Sequence, residues 1–286
     1  MKYRLTPRLL MSFVILAVIT LIAIDDRLII KEYHAHQGTP DDQSITVAII
    51  TDLHGNFYGD GQIELIKPLK DRRPEMILLG GDIYDDQMPQ THTDTLLSQL
   101  TAITPNVYYV NGNHELYLPA SEYAKIEQKI QRYGIKILHG ESAVVPIDGK
   151  ASNLRIHGVS DPVLIEKFHQ DLRTVGQSAN PSNINILLAH RPEYIDSYLQ
   201  YPFDFIVSGH AHGGQWRIPY VLNGLFAPNQ GLFPKYAGGE YHFDNSQSYS
   251  QHSQFIVSRG LATKSTRFIP RIFNRPELVF LTIPND

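Results

Sequence analysis

The stretch SGHAHGGQW at residues 208–216 sets His210 and His212 two positions apart, with Gly209 before them and Gly213-Gly214 after. Two imidazoles so spaced can point the same way where strand side chains alternate, and the glycines let a backbone approach a shared ligand closely. The arrangement recurs elsewhere in the chain. TDLHG supplies Asp52 and His54, GGDIYD supplies Asp82, NGNHE supplies Asn113 and His114, and LAHRP supplies His190. Taken singly, each is an ordinary turn, and a lone His190 after an apolar run would be a hydrogen-bonded core edge. Together they offer imidazole, carboxylate and amide oxygen without any thiolate, which is the donor set of one shared metal site.

Something must bring these turns together, and the runs preceding them are suited to it. ITVAIIT (45–51), EMILLGG (75–81), NVYYVNG (106–112), INILLAH (184–190) and FDFIVSG (203–209) are short, apolar and rich in β-branched or aromatic residues, so they read as buried strands. PASEYAKIEQKIQRYG (119–134) repeats Tyr123, Ile126, Ile130 and Tyr133 at helical spacing and predicts a helix. Strand, helix and strand in alternation imply an α/β fold, in which ligands collect outside the carboxyl ends of the strands. The later runs NLRIHGV (153–159), QFIVSR (254–259) and ELVFLTI (277–283) show no long helical pattern between them. They predict an antiparallel or mixed part, with two packed sheets and helices outside.

The N-terminus reads differently. Leu9 to Ile24 carry no charge, follow Lys2, Arg4 and Arg8, and are followed by Asp25 and Asp26. As a helix this segment is about 24 Å long, slightly short of a ~30 Å hydrocarbon core, so a signal peptide competes with a spanning anchor. No small-residue cleavage site follows it, which favours an uncleaved transmembrane helix. Basic residues ahead of the apolar run keep the N-terminus in the cytoplasm and put the body outside. The expected division is a cytoplasmic tip and membrane anchor at 1–24, a linker at 25–44 and a catalytic domain at 45–286.

Composition closes off other classes. The chain lacks cysteine, which excludes disulfides and thiolate chemistry. Removing the +3 of residues 1–24 from the total of −4 leaves −7 on the rest, so no nucleic-acid partner is expected. No protein partner is inferred either.

The ordered series Asp52-x-His54, Gly81-Asp82, Gly112-Asn113-His114-Glu115, His190 and Gly209-His210-Ala211-His212 resembles the calcineurin-like metallophosphoesterase superfamily, over residues 45 to about 283. Gly213-Gly214-Gln215, the LAHRPE block and the N-terminal segment are similar to bacterial phosphodiesterases of the YkuE/YaeI type. The resemblance implies a four-layer α-β-β-α sandwich of two mixed sheets. It implies two divalent metal ions, one held by Asp52, His54 and His212, the other by Asn113, His190 and His210, with Asp82 bridging. Mixed imidazole and carboxylate ligands suit Mn, Fe or Zn. A hydroxide bridging the two metals would attack phosphorus, and His114 would assist the leaving oxygen.

The implied partners are a phosphoester substrate, lipid-linked or soluble, and the bacterial inner membrane through a single pass. An alternative substrate is the UDP-2,3-diacylglucosamine of lipid A synthesis, since WRIPYVLNGLFAPNQGLFPKY (216–236) offers apolar surface for acyl chains; that stretch is equally readable as a core cap or β-hairpin. A non-catalytic scaffold on the same fold is the alternative of another class, and the filled ligand positions speak against it. Asp161 and Arg191 are weaker candidates for contact with substrate phosphate.

Overall fold

The computed structural model describes residues 7–36, 44–147, 153–244, 252–263 and 270–284. Helix α1 (Pro7–Ala23) and strands β1 (Ile29–His34) and β2 (Ile45–Ile50) lead into α2 (Ile63–Arg72), β3 (Met76–Gly80), α3 (Thr91–Leu100) and β4 (Val107–Val110). A short α4 (Asn113–Leu116), α5 (Ala120–Arg132), β5 (Lys136–Ile137), β6 (Ser142–Val144) and β7 (Leu154–Gly158) follow. The rest comprises α6 (Ile165–Ser178), β8 (Ile184–Leu188), α7 (Ile195–Tyr198), β9 (Phe205–Ser208), β10 (Phe226–Ala227), β11 (Gly231–Leu232), β12 (Gly239–Asp244), β13 (His252–Val257) and β14 (Glu277–Ile283).

Two six-stranded sheets result, ordered β1-β14-β2-β3-β4-β5 and β12-β13-β9-β8-β7-β6, with a small β10-β11 hairpin apart. Both sheets are mixed. The first is parallel except where β14 runs against β2; the second is parallel except at β6-β7 and β12-β13. β2, β3, β4, β8 and β9 are the strands that carry the chemistry-bearing turns.

Alternation along these strands makes the layers. Ile50, Leu79 and Tyr109 face α2, α3 and α5, packing on Leu65, Leu69, Leu96, Leu100, Ile126 and Ile130. Their neighbours Ile49, Leu78 and Tyr108 point the other way and meet Ile156, Ile186, Leu188 and Val207 of the second sheet. Leu187, Ile206 and Phe255, on that sheet's far side, pack on Phe168, Leu172 and Val175 of α6 and Tyr198 of α7. A period of two on strands buried on both faces thus gives helix, sheet, sheet and helix in succession.

Two expectations are corrected. The stretch 25–44 is no simple tether, because β1 lies within it and pairs in parallel with β14, from Ile29 opposite Glu277 to His34 opposite Thr282. Leu28 and Ile30 pack on one face of the sheet and Tyr33 on the other, so an edge position accounts for the charged residues interleaved among them. α6 is a long helix between β7 and β8 where none was expected; its Phe168, Leu172 and Val175 recur at helical spacing and are all buried. The segment expected to anchor the chain forms α1, a helix of 17 residues whose side chains from Leu10 to Ile22 are exposed. Among the described residues no helix is long and apolar enough to cross a membrane. Lys2 and Arg4 of the charge argument lie outside the described residues.

Candidate metal centre

Each expected ligand sits one or a few residues past a strand, at the common carboxyl end of β2, β3, β4, β8 and β9. The chain turns sharply there. Asp52, His54, Asp82, His210 and His212 all have left-handed backbone, with φ of 51°, 48°, 52°, 63° and 48°. Non-glycine residues rarely adopt it, and each instance costs roughly 1 kcal/mol or more. The surrounding structure holds them in place: Asp52 N donates to Gly81 O at 3.0 Å, His54 N to Asp82 O at 3.0 Å, and His210 N to Asp52 Oδ1 at 3.0 Å. Close approach is purchased with glycine at Gly112, where a Cβ would stand 2.3 Å from Asp82 Oδ1.

Three groups of donors form, and Asp82 belongs to two of them. Asp52, His54, Asp82 and His212 make one, Asp82, His190 and His210 another, and His54, Asp85 and His114 the third, each group offering one atom per residue within 4.8 Å of the rest. Hydrogen bonds decide which ring atoms face inward. His190 Nδ1 lies 2.8 Å from Gly80 O, a pure acceptor, so Nδ1 carries the proton and Nε2 is the free donor, 3.2 Å from Asp82 Oδ2. His54 Nδ1 lies 2.9 Å from Asp85 Oδ2, which leaves Nε2, 3.6 Å from Asp82 Oδ2. His210 Nε2 contacts Asn229 Oδ1 at 3.0 Å, which turns Nδ1 inward, 3.2 Å from His190 Nε2.

A metal fits because the cluster's valences are otherwise unmet. His54 Nε2, Asp82 Oδ2, Asn113 Oδ1 and His212 Nδ1 are buried polar atoms with no hydrogen-bond partner. Such atoms normally cost several kcal/mol unless paired. Ionisation differs among the donors. Burial works against the charge of Asp82, but His190 and His54 outweigh it and hold its carboxyl well below the usual range. Burial disfavours a charged His190 also, yet Asp82 pushes that ring up to about 10, and Asp85 and Asp82 raise His54 against burial. Burial, then His190, pushes His210 down to about 3, and burial lowers His212 well below normal. His210 and His212 are thus neutral and in their ligand form, whereas His190 and His54 give up a proton on binding a metal.

Three acids that the sequence analysis assigned no role hold the cluster in shape. The buried carboxylate of Glu115 accepts from the backbone N–H groups of Asp82 (3.0 Å), Ile83 (2.8 Å), Tyr84 (3.0 Å) and Gly112 (2.9 Å), clamping the β3 turn to the β4 turn. Burial and then Asp82 push it up to about 7, against those donors. Asp85 orients His54. Asp86 Oδ1 lies 2.6 Å from His114 Nδ1, with Asp85 Oδ2 3.4 Å from the same atom. His114 therefore carries a proton on Nδ1 and has Nε2 available; its N–H to Asp82 Oδ1 at 2.8 Å sets it beside the shared carboxylate. The signal for Asp85 and Asp86 was their place shortly after Gly81-Asp82; for Glu115 only the bond back to Gly112 N, three residues earlier, is local. Asp161 and Arg191, by contrast, engage each other. Arg191 Nε and Nη2 reach the Asp161 carboxylate at 2.9 and 3.0 Å, both residues buried, which makes them a structural pair.

This arrangement belongs to a known class. Residues 45–214, more than half of the chain, match the calcineurin-like phosphoesterase family, and the chain is a member of it. It is a metallophosphoesterase, a hydrolase of phosphoesters with a divalent metal centre. Among curated relatives, the uncharacterized metallophosphoesterase YkoQ of Bacillus subtilis is 26% identical over 247 residues, covering 85% of each chain. The phosphodiesterase YaeI of Escherichia coli is 27% identical over 158 residues, 53% of each. Among solved structures, the phosphopantetheinyl hydrolase PptH of Mycobacterium tuberculosis superposes with a TM-score of 0.46 at 14% identity, over 82% of this chain and 95% of that one.

Proposed function

We propose that the chain hydrolyses phosphodiesters at two divalent metal ions, Mn, Fe or Zn, with Asp82 common to both. The observation that carries this reading is the pair of donor groups that share Asp82 and end in unmet ligand atoms. Asp52, His54 and His212 would hold one ion, and Asn113, His190 and His210 the other. Such ions supply Lewis acidity, activating water and neutralising phosphoryl charge. The chain's residues do the rest. Asp85 fixes the tautomer of His54, and the Gly80 carbonyl fixes that of His190. Glu115 ties the Asp82 turn to the Asn113 turn. His114, about a quarter exposed and with Nδ1 committed to Asp86, presents Nε2 as the site of proton exchange with the leaving oxygen. A water-soluble chromogenic phosphodiester with added Mn²⁺ tests the reading: turnover abolished by chelation supports it, and metal binding without turnover of any phosphoester would leave a scaffold.

α1 we place in the bacterial inner membrane, with the catalytic body on the extracytoplasmic face. Support comes from its exposed apolar side chains and from the basic residues that precede it in sequence. Protease protection of the body in intact spheroplasts, followed by digestion in inverted vesicles, would refute that sidedness.

A further inference from the structure

The end of α1 is bonded directly to the catalytic body. Phe273 N donates to Ala23 O at 2.6 Å, and Ala23 is buried. Next to Phe273, Asn274 donates through Nδ2 to His212 O at 2.7 Å and Gln215 O at 3.0 Å. On its other side, Ile272 bridges to Trp216, and Arg217 N donates to Ile272 O at 2.9 Å. Three consecutive residues therefore connect the helix to a metal-site turn and to the segment after it. These bonds tie the C-terminal end of α1 to the catalytic body.

The segment after the turn is apolar and uncovered. Ile218, Tyr220, Val221, Leu232 and Phe233 are all exposed, Val221 at 79% and Leu232 and Phe233 at 67% each. Trp216 is 41% exposed, with its one polar atom satisfied inside the protein, Nε1 donating to Pro270 O at 3.1 Å. Clustered apolar side chains of this kind mark an interaction surface. The same segment touches the metal centre, since the β10-β11 turn presents Asn229 to His210. Length adds a second argument. The 17 residues of α1 span about 25 Å, short of a ~30 Å hydrocarbon core, and a short anchor draws what it carries toward the interface.

We infer that residues 216–233 are a membrane-docking surface, which lies in the bilayer interface beside α1 and sets the rim of the metal cleft against the lipid headgroups. This rests on the placement of α1 in a membrane proposed above. Trp216 is the chain's single tryptophan, so its fluorescence reports on this surface alone. The full chain is reconstituted into phosphatidylcholine vesicles, floated after carbonate wash, and compared in plain and brominated lipid. Docking predicts that Trp216 loses about half of its emission or more in lipid brominated near the glycerol end, and is shielded from aqueous acrylamide. The double variant Tyr220→Ser/Val221→Ser should reduce that lipid quenching while turnover of a soluble diester stays within about twofold. A chain that floats with the vesicles while Trp216 remains open to acrylamide and indifferent to brominated lipid overturns the docking surface and leaves the anchor standing. Failure to float overturns the anchor, and the docking surface with it.

Discussion

His157 and His190 are both fully buried histidines of the second sheet, one in β7 and the other two residues past β8, and they differ in what meets their nitrogens. His157 Nδ1 lies 2.7 Å from Ser142 Oγ and Nε2 lies 3.1 Å from Asn185 Oδ1, so both ring atoms are satisfied. His190 Nδ1 is satisfied by Gly80 O, while its Nε2 meets Asp82 Oδ2 and His210 Nδ1, each at 3.2 Å, inside a cluster with four orphaned buried atoms. Burial pushes His157 down to about 4, whereas Asp82 overrides burial at His190. Burial and residue type are equal in the two places. Unmet ligand atoms on neighbouring donors, four of them in one cluster, are what separate this site from packing.

The contrast breaks first at Asp82. Asp82→Ala should abolish turnover and reduce bound metal to one ion or none per chain, read by elemental analysis of the purified protein. Two retained ions with near-normal turnover would dissolve the distinction between a shared carboxylate and an ordinary buried acid. Next in size is His114→Ala, which should keep its metal and lose roughly 10²–10⁴ in kcat. That loss should shrink for esters with nitrophenol-like leaving groups; an equal loss for good and poor leaving groups would contradict proton donation. Asp85→Asn comes third. It weakens the orientation of His54 and should lower metal affinity by roughly 10–100-fold, measured by competition with a chelating dye, while Asp85→Glu restores part of it.

The smallest effect belongs to the satisfied cluster. His157→Gln should leave kcat and metal content unchanged and alter only how stability depends on pH. The folded protein favours the neutral ring, so the contribution of His157 is fully present above the unfolded value of about 6.5 and is lost as pH falls through about 4. Over that window the parent should lose on the order of 3 kcal/mol that the variant does not. Denaturant midpoints from pH 7 to pH 4 read the difference between the two proteins, and parallel curves would show that His157 is no part of the acid sensitivity.

Much of this was legible because strand ends are local. Apolar runs such as ITVAII and FIVS identify themselves, and the donor after each run is a matter of reading on by a few residues. The helix expected over 119–134 is α5, with Ile126 and Ile130 buried as its spacing implied. What escaped depends on distant partners. The carboxylate of Glu115 looks like a surface acid until three N–H groups from the β3 turn join the one from its own. β1 carries Lys31 and Glu32 within six residues, and only the pairing with a strand almost 250 positions away makes it a strand. Asp161 and Arg191 each resembled a phosphate contact for want of knowing that they face one another. α6 is a different case, since Phe168, Leu172 and Val175 were there to be read.

β14 lies between β1 and β2, bonded to both, and it is the last strand of the described chain. The first sheet therefore cannot be completed until Ile283 has left the ribosome. Until then β1 and β2 lack the strand that joins them, and the apolar faces of Ala48 and Ile49 have no neighbour on that side. Contacts of such long range are slow to form, and an unpaired edge invites association with other chains.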